Sequence, residues 1–203
     1  MTRVVLASAN RAKLRELAAL LSPLSLTLVP QQSLGIASVE ETGSSFLDNA
    51  LLKARHAARH AQLPALADDS GLEVDALGGA PGVWSARFAG AGASDAQNLA
   101  RLLEELRAVP EGRRGARYRC VIVLLRSADD ARPLIARGSW EGRISDAPRG
   151  TGGFGYDPVF VPAGEERTAA QLDAAAKNAV SHRGQALAAL VAMLEREDYI
   201  SAP

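Results

Sequence analysis

Cysteine and aromatic residues are scarce in this chain: one cysteine, and 4% Phe, Trp and Tyr together. A single cysteine excludes an internal disulfide and fits a reducing compartment. Cys120 lies inside the apolar run Cys120-Val121-Ile122-Val123-Leu124-Leu125, where a buried, inert thiol is expected rather than a nucleophile. Net charge is missing too: 23 Lys and Arg balance 23 Asp and Glu. No overall field therefore draws the chain to DNA, RNA or an anionic membrane. No stripe of stacking aromatics lies beside Lys or Arg, which argues further against nucleic-acid recognition. No apolar run approaches about 18 residues, and no cationic-then-apolar leader opens the sequence. The expected location is the cytoplasm, without a membrane partner. The Gly-x-x-x-x-Gly-Lys loop is also absent, which excludes a P-loop enzyme.

What remains is ordinary globular composition, 47% apolar and 23% charged, in a chain that can form a single domain over 1–203. Arg3–Ser8 reads as a buried strand. Leu14, Leu17, Leu20 and Leu21 then share one face of a helix predicted from about Arg11 to Leu21, with the side chains of Ser8-Ala9-Asn10 available to cap it. A second strand is predicted near Leu26–Val29. Ser45-Phe46-Leu47-Asp48 resembles a capping box opening an Ala-rich helix to about His60. Leu66-Ala67 is a short strand running into Asp68-Asp69-Ser70-Gly71, with Leu72–Val74 as its continuation. Ser94-Asp95 caps a helix carrying Leu99, Leu102, Leu103 and Leu106. Arg117–Leu125 and Leu134–Trp140 read as a hairpin. Thr168-Ala169-Ala170-Gln171 offers another capping box, and a last helix begins at about Ser181. Such a chain is α/β, with parallel and antiparallel pairing in one sheet.

Gly150-Thr151-Gly152-Gly153-Phe154-Gly155-Tyr156-Asp157 is the most informative stretch. Glycine at this density permits positive φ and close backbone approach to a ligand. Its N–H groups suit anionic oxygens, and Phe154 and Tyr156 offer flat faces for a base. The spacing Gly150-x-Gly152-x-x-Gly155 matches the dinucleotide fingerprint by accident, since extended sequence rather than a helix follows.

Asp68 and Asp69 end a strand, where α/β sheets bind ligands. Alone, Asp-Asp-Ser-Gly is more often a solvated turn. Joined in space by Glu40 or Glu41, it becomes a hard-cation site, because Mg²⁺ takes one or two carboxylates plus waters and phosphates. Lys13 stands in the first turn of the first helix, where backbone N–H groups favour phosphate. Lys177, His182 and Arg183 supply donors for carbonyl or phosphate oxygens. His56 and His60 have zinc-compatible spacing without further ligands nearby and read as surface. Arg113, Arg114, Arg117 and Arg119 read as a solvated strand edge.

Taken together, Ser8–Glu16, Glu40-Glu41-Thr42-Gly43, Ala67–Leu72, Gly79–Arg87, the glycine loop and Ser181-His182-Arg183-Gly184 resemble, in order and in register, the inosine triphosphate pyrophosphatase family of XTP/dITP diphosphatases. The resemblance implies an elongated two-lobed α/β fold, with a central mixed β-sheet flanked by helices and an active-site cleft between the lobes. It implies a homodimer that hydrolyses ITP, dITP and XTP to the monophosphate and pyrophosphate with Mg²⁺. Asp69 is the implied proton acceptor, with Asp69, Glu41 and Asp68 at the metal. The implied substrate-binding residues are Ser8, Ala9, Asn10, Arg11, Ala12, Lys13, Ser70, Phe154, Gly155, Tyr156, Asp157, Lys177, His182 and Arg183. In this reading Ser8, Asn10 and Lys13 hold the phosphates, Phe154 stacks on the base, and Asp157, Lys177, His182 and Arg183 surround its edge. A pyrophosphatase for other nucleotides and a non-catalytic nucleotide sensor are the competing readings.

Donors from Lys177 or Arg183 aimed at purine position 6 would accept a carbonyl and oppose the amino group of adenine, a mismatch able to discriminate by about 10⁴. Arg183→Ala is then expected to lower kcat/KM for dITP far more than for dATP. Equal losses in steady-state kinetics would refute that assignment.

Overall fold

A computed structural model of the chain describes residues 2–8, 10–21 and 26–197. Among these, the chain forms β1 (Thr2–Leu6), α1 (Arg11–Leu21), β2 (Leu26–Pro30), α2 (Phe46–Ala61), β3 (Ala65–Val74), α3 (Asp95–Glu105), β4 (Gly115–Leu125), β5 (Leu134–Ile144), β6 (Phe160–Pro162), α4 (Ala174–Val180) and α5 (His182–Glu197). The strands make one mixed sheet in the order β2-β1-β3-β4-β5-β6. β1 is parallel to β2 and to β3, and β6 is antiparallel to β5. The α/β architecture matches the expectation. No described helix is long and apolar enough to cross a membrane.

The residues divide into two compact units, Met1–Asp69 with Cys120–Gly138 and Arg183–Pro203, and Ser70–Arg119 with Ser139–His182. In the first unit, strand alternation sorts the core onto two faces. Val4, Leu6, Leu66, Cys120, Ile122 and Leu124 pack against Leu17 and Leu21 of α1 and Leu187 and Leu190 of α5. Val5, Ala7, Ala65, Ala67, Val121, Val123 and Leu125 pack against Ala50, Ala54, Ala57 and Ala58 of α2. Both faces of these strand segments are buried, which is why 120–125 is continuously apolar. Burial pushes the Cys120 thiol up to about 12, so it stays protonated and unreactive, as its surroundings in sequence imply.

In the second unit, Leu102 and Leu106 pack with Leu72, Val74, Tyr118, Trp140, Tyr156 and Phe160. Ser94 and Gln97 form a full capping box at the start of α3, and Thr168 and Gln171 form another on a short 3₁₀ turn. Arg114, Arg117 and Arg119 depart from the expected solvated edge, because β4 lies inside the sheet. Arg114 is buried and donates to the Leu106 and Val109 carbonyls at 3.1 and 3.0 Å. Arg117 pairs with Asp75 and Glu141 at 2.8 and 2.9 Å, and Arg119 with Glu73 at 3.1 Å. Cross-strand ion pairs of this kind are compatible with an interior strand.

Gly142 faces Pro162 across the β5–β6 pair, where an added Cβ would overlap the Val161 carbonyl and the Phe160 ring. Gly142→Ala is expected to destabilise the protein by about 1–3 kcal/mol, read as a lower Tm with the secondary structure retained.

Candidate active site

Asp68 and Asp69 are consecutive in β3, so they point to opposite faces. Asp68 shares the face of Leu66, towards α1 and α5. Its carboxylate takes the Lys13 Nζ at 2.9 Å and the Arg183 guanidinium at 3.5 Å, and Arg183 also pairs with Glu16 of α1. Burial alone would raise Asp68, but Lys13 first, then Arg183 and Lys53, hold it well below the usual carboxylate range. Arg183 is itself buried, at 2% exposure. Burial works against its charge, yet Asp68 and Glu16 more than offset that and keep it protonated. The guanidinium expected at a base edge is thus engaged by two carboxylates of its own unit.

Asp69 shares the face of Ala65 and Ala67, towards α2. It accepts from Lys53 Nζ at 2.8 Å and from Asn49 Nδ2 at 3.3 Å. The same Lys53 ammonium reaches Glu41 at 2.6 Å. Asn49 also accepts from the Gly43 N–H at 2.7 Å, tying the Glu40–Gly43 segment to α2. An added Cβ at Gly43 would crowd Asp48 and Asn49 at 2.6 and 2.7 Å, which accounts for the glycine. Burial raises Asp69, Glu41 adds to this, and Lys53 and Lys13 do not fully offset it. Lys53 is raised as well: burial opposes its charge, but Asp69, Asp68 and Glu41 outweigh it.

Two carboxylates gripping one ammonium form a donor set that fits a small hard cation, which needs only one or two carboxylates beside water and phosphate. Asp68 does not join them. Among the described residues no three His, Cys, Asp or Glu side chains cluster as a metal site, because β3 turns Asp68 to its other face. Ser70, half-buried, follows Asp69 directly.

At the start of α1, the Lys13 N–H donates to Asn10 Oδ1 at 3.1 Å and the Asn10 N–H to Ser8 Oγ at 3.2 Å. Ser8 and Asn10 therefore shape the helix start, leaving N-terminal amides where an anion is favoured. Ala9 and the side chains of Arg11 and Ala12 lie outside the described residues. The His56 and His60 rings lie 4.3 Å apart, tilted by 43°, and engage the Ala37 and His56 carbonyls at 2.9 Å.

The second unit holds a separate cluster centred on Asp157, only 3% exposed. Its carboxylate accepts from Lys177 Nζ at 2.7 Å, from the Phe154 N–H at 2.9 Å and from the Tyr118 hydroxyl at 3.2 Å. Lys177 lies 5.1 Å from the Phe154 ring centroid, within cation–π range. The Tyr118 and His182 rings stack at 4.6 Å and 10°.

Tyr156 differs from the expectation: its ring is buried in the core, and its hydroxyl donates to the Ser85 carbonyl at 2.8 Å. It offers no face to a base. The loop amides differ as well. Gly152 donates to the Ala170 carbonyl at 3.0 Å, Phe154 to Asp157, and Gly155 to Asp95 at 2.7 Å. The loop does hold anionic oxygens, but they are the protein's own. Gly153 has φ 69°, and a Cβ there would overlap the Asp157 carboxylate, so only glycine fits.

Sequence reasoning missed Lys53, Asn49, Tyr118 and Asp95. The spacing Asn49–Lys53, one turn apart on a face otherwise built of alanine, was the available signal for the first two.

A Ham1 family model matches residues 4–193. A dITP/XTP pyrophosphatase of Methylococcus capsulatus is 59% identical over 192 residues, covering 95% of this chain and 96% of that protein. One of Shigella flexneri is 57% identical over 191 residues, covering 94% and 97%. The solved structure of a HAM1 protein from Coxiella burnetii superposes with a TM-score of 0.90 at 50% identity, covering 96% of this chain and 99% of that one.

The opposite shifts of the two aspartates have a consequence for stability. A carboxyl whose folded pKa lies above its ordinary value near 3.8 favours folding only while protonated, and its ionisation costs stability as pH rises through the folded pKa. Without divalent cations, Asp69→Asn is therefore expected to be at least as stable as wild type above neutral pH. The advantage should vanish below the ordinary carboxylate range. Tm measured against pH for both proteins checks this; an Asp69→Asn protein less stable than wild type at alkaline pH would contradict the burial argument.

Proposed function

The chain belongs to the Ham1 family, and on that premise we propose that it hydrolyses deaminated purine nucleoside triphosphates (XTP, ITP and dITP) to the monophosphate and pyrophosphate. The observation that carries the reading is the pair Glu41 and Asp69 closing on one cationic group at 2.6 and 2.8 Å. In the working enzyme these two carboxylates would hold Mg²⁺, which polarises phosphoryl oxygens and lowers the pKa of bound water.

The chain's own residues account for the rest. Asp69, whose pKa is raised by burial, is suited to accept the proton of the attacking water. Lys13, at the N-terminal turn of α1, would bind the phosphate chain together with Ser8 and Asn10. Asp68 would act through Lys13 and Arg183, holding both in place. Lys53 supplies a further positive charge for phosphate oxygens beside Glu41 and Asp69.

In the second unit, Phe154 would carry the base. Asp157, Lys177 and His182 would read its edge. Lys177 can only donate, which matches a 6-carbonyl and opposes a 6-amino group. The whole chain would act as one catalytic domain, as a cytoplasmic homodimer, clearing non-standard purines before polymerases incorporate them.

The test is pyrophosphate release across a panel of purine and pyrimidine triphosphates at fixed Mg²⁺, with wild type and Asp69→Asn. ITP, dITP and XTP are expected to exceed ATP and the pyrimidine nucleotides in kcat/KM by about 10²-fold or more. Asp69→Asn should lose nearly all turnover. Equal rates across the panel, or an active Asp69→Asn, would overturn the proposal.

A further inference from the structure

We propose that Asp95 is a positioning residue for base recognition, clamping the glycine loop so that the Phe154 ring is held in one place. The Phe154 N–H donates to Asp157 at 2.9 Å, and the next N–H, that of Gly155, donates to Asp95 at 2.7 Å. The peptide groups on both sides of residue 154 are thus fixed by carboxylates from different elements. Bonds from an amide to an ionised carboxylate are among the stronger hydrogen bonds. With both flanking peptides held, the ring can move only between side-chain rotamers, and Lys177 sits 5.1 Å from its centroid.

The two halves of the clamp are not redundant. The Asp157 side is buried and supported by Lys177 and Tyr118. The Gly155 side has less backing: the Phe154 carbonyl of the same peptide accepts the Asp157 N–H at 3.2 Å, and Gly155 has φ 61° with open space where a Cβ would stand. The N–H of this peptide is held by the Asp95 carboxylate. Helix capping does not account for Asp95 either, because Ser94 and Gln97 complete the capping box of α3. What remains for Asp95 at the helix start is a general dipole effect, which does not require a bond to a residue 60 positions away.

This inference rests on the reading that Phe154 carries the base, so its test separates the two. Asp95→Ala, Asp95→Asn and Ser94→Ala are compared with wild type by amide hydrogen exchange and by steady-state kinetics on dITP. Asp95→Ala is expected to speed exchange in residues 150–157 and to raise KM about three- to tenfold. Its kcat should stay within about twofold, and inhibition by inorganic tripolyphosphate, which lacks a base, should be unchanged. Asp95→Asn keeps an acceptor oxygen and should restore most of the KM. Ser94→Ala removes the helix cap and should lower Tm without moving KM. An active wild type whose Asp95→Ala variant keeps its KM, or loses kcat instead, overturns the role of Asp95 alone. Unchanged exchange in 150–157 does the same. A wild type that releases no pyrophosphate from dITP overturns the functional reading, and base positioning with it.

Discussion

Successive side chains of a strand point to opposite faces of its sheet, and β3 applies that rule to two adjacent aspartates. Leu66 and Asp68 face α1 and α5, while Ala65, Ala67 and Asp69 face α2. A shift of β3 by one residue would exchange the partners of both carboxylates and expose the apolar set on each face to the wrong helices. The buried hydrophobic register therefore also sets the register of the chemistry. Asp68 is fully buried and tolerable as an anion only because Lys13 and Arg183 meet it; removing one partner of such a group typically costs about 3–5 kcal/mol. Side chains from α1, β3 and α5 thus converge on a single charge.

Asp157 plays the corresponding part in the second unit. A carboxylate buried there needs its lone pairs filled, and an ammonium, an amide and a phenol fill them. The glycines around it are explained by closeness. Gly152 lies where a Cβ would come within 2.8 Å of the Ala170 carbonyl, and Gly153 where it would overlap Asp157. A loop whose amides suit anionic oxygens is folded tightly onto its own carboxylates. The ring of Phe154 is what it leaves half-exposed.

Much of this was legible in the sequence. Leucine periodicity located α1 from Arg11 to Leu21, and the Ser94 cap and the Thr168 capping box appear where the pattern put them. Strand segments with both faces buried announced themselves as apolar runs. Other features left no local trace. β6 has three residues, too few for alternation. α4 has seven residues capped by Asp173, too short for helical periodicity. β4 looked like an edge because Arg117 and Arg119 alternate with apolar residues. Their partners Glu73, Asp75 and Glu141 lie far along the chain, and only the sheet order makes them neighbours. Lys53 was hidden for the same reason: a lone lysine on an alanine-rich helix gains meaning only when Glu41 and Asp69 close on it. Arg183 was placed by motif at the base, whereas Asp68 and Glu16 hold it in the first unit.

The two sides of β3 also differ in charge balance, and that difference separates support from reactivity. On the α1–α5 side, Lys13 and Arg183 match Asp68 and Glu16. Asp68 is accordingly held low, and the group has no formal charge left over. On the α2 side, Lys53 pairs with both Glu41 and Asp69, one ammonium against two carboxylates. Burial and Glu41 keep Asp69 raised despite its bond to Lys53, so the folded chain retains an electrostatic conflict at this point. A divalent cation bound there would relieve it. The α1–α5 side anchors the fold, and the α2 side, with its buried carboxylate held raised, has the perturbed titration expected of a reactive site.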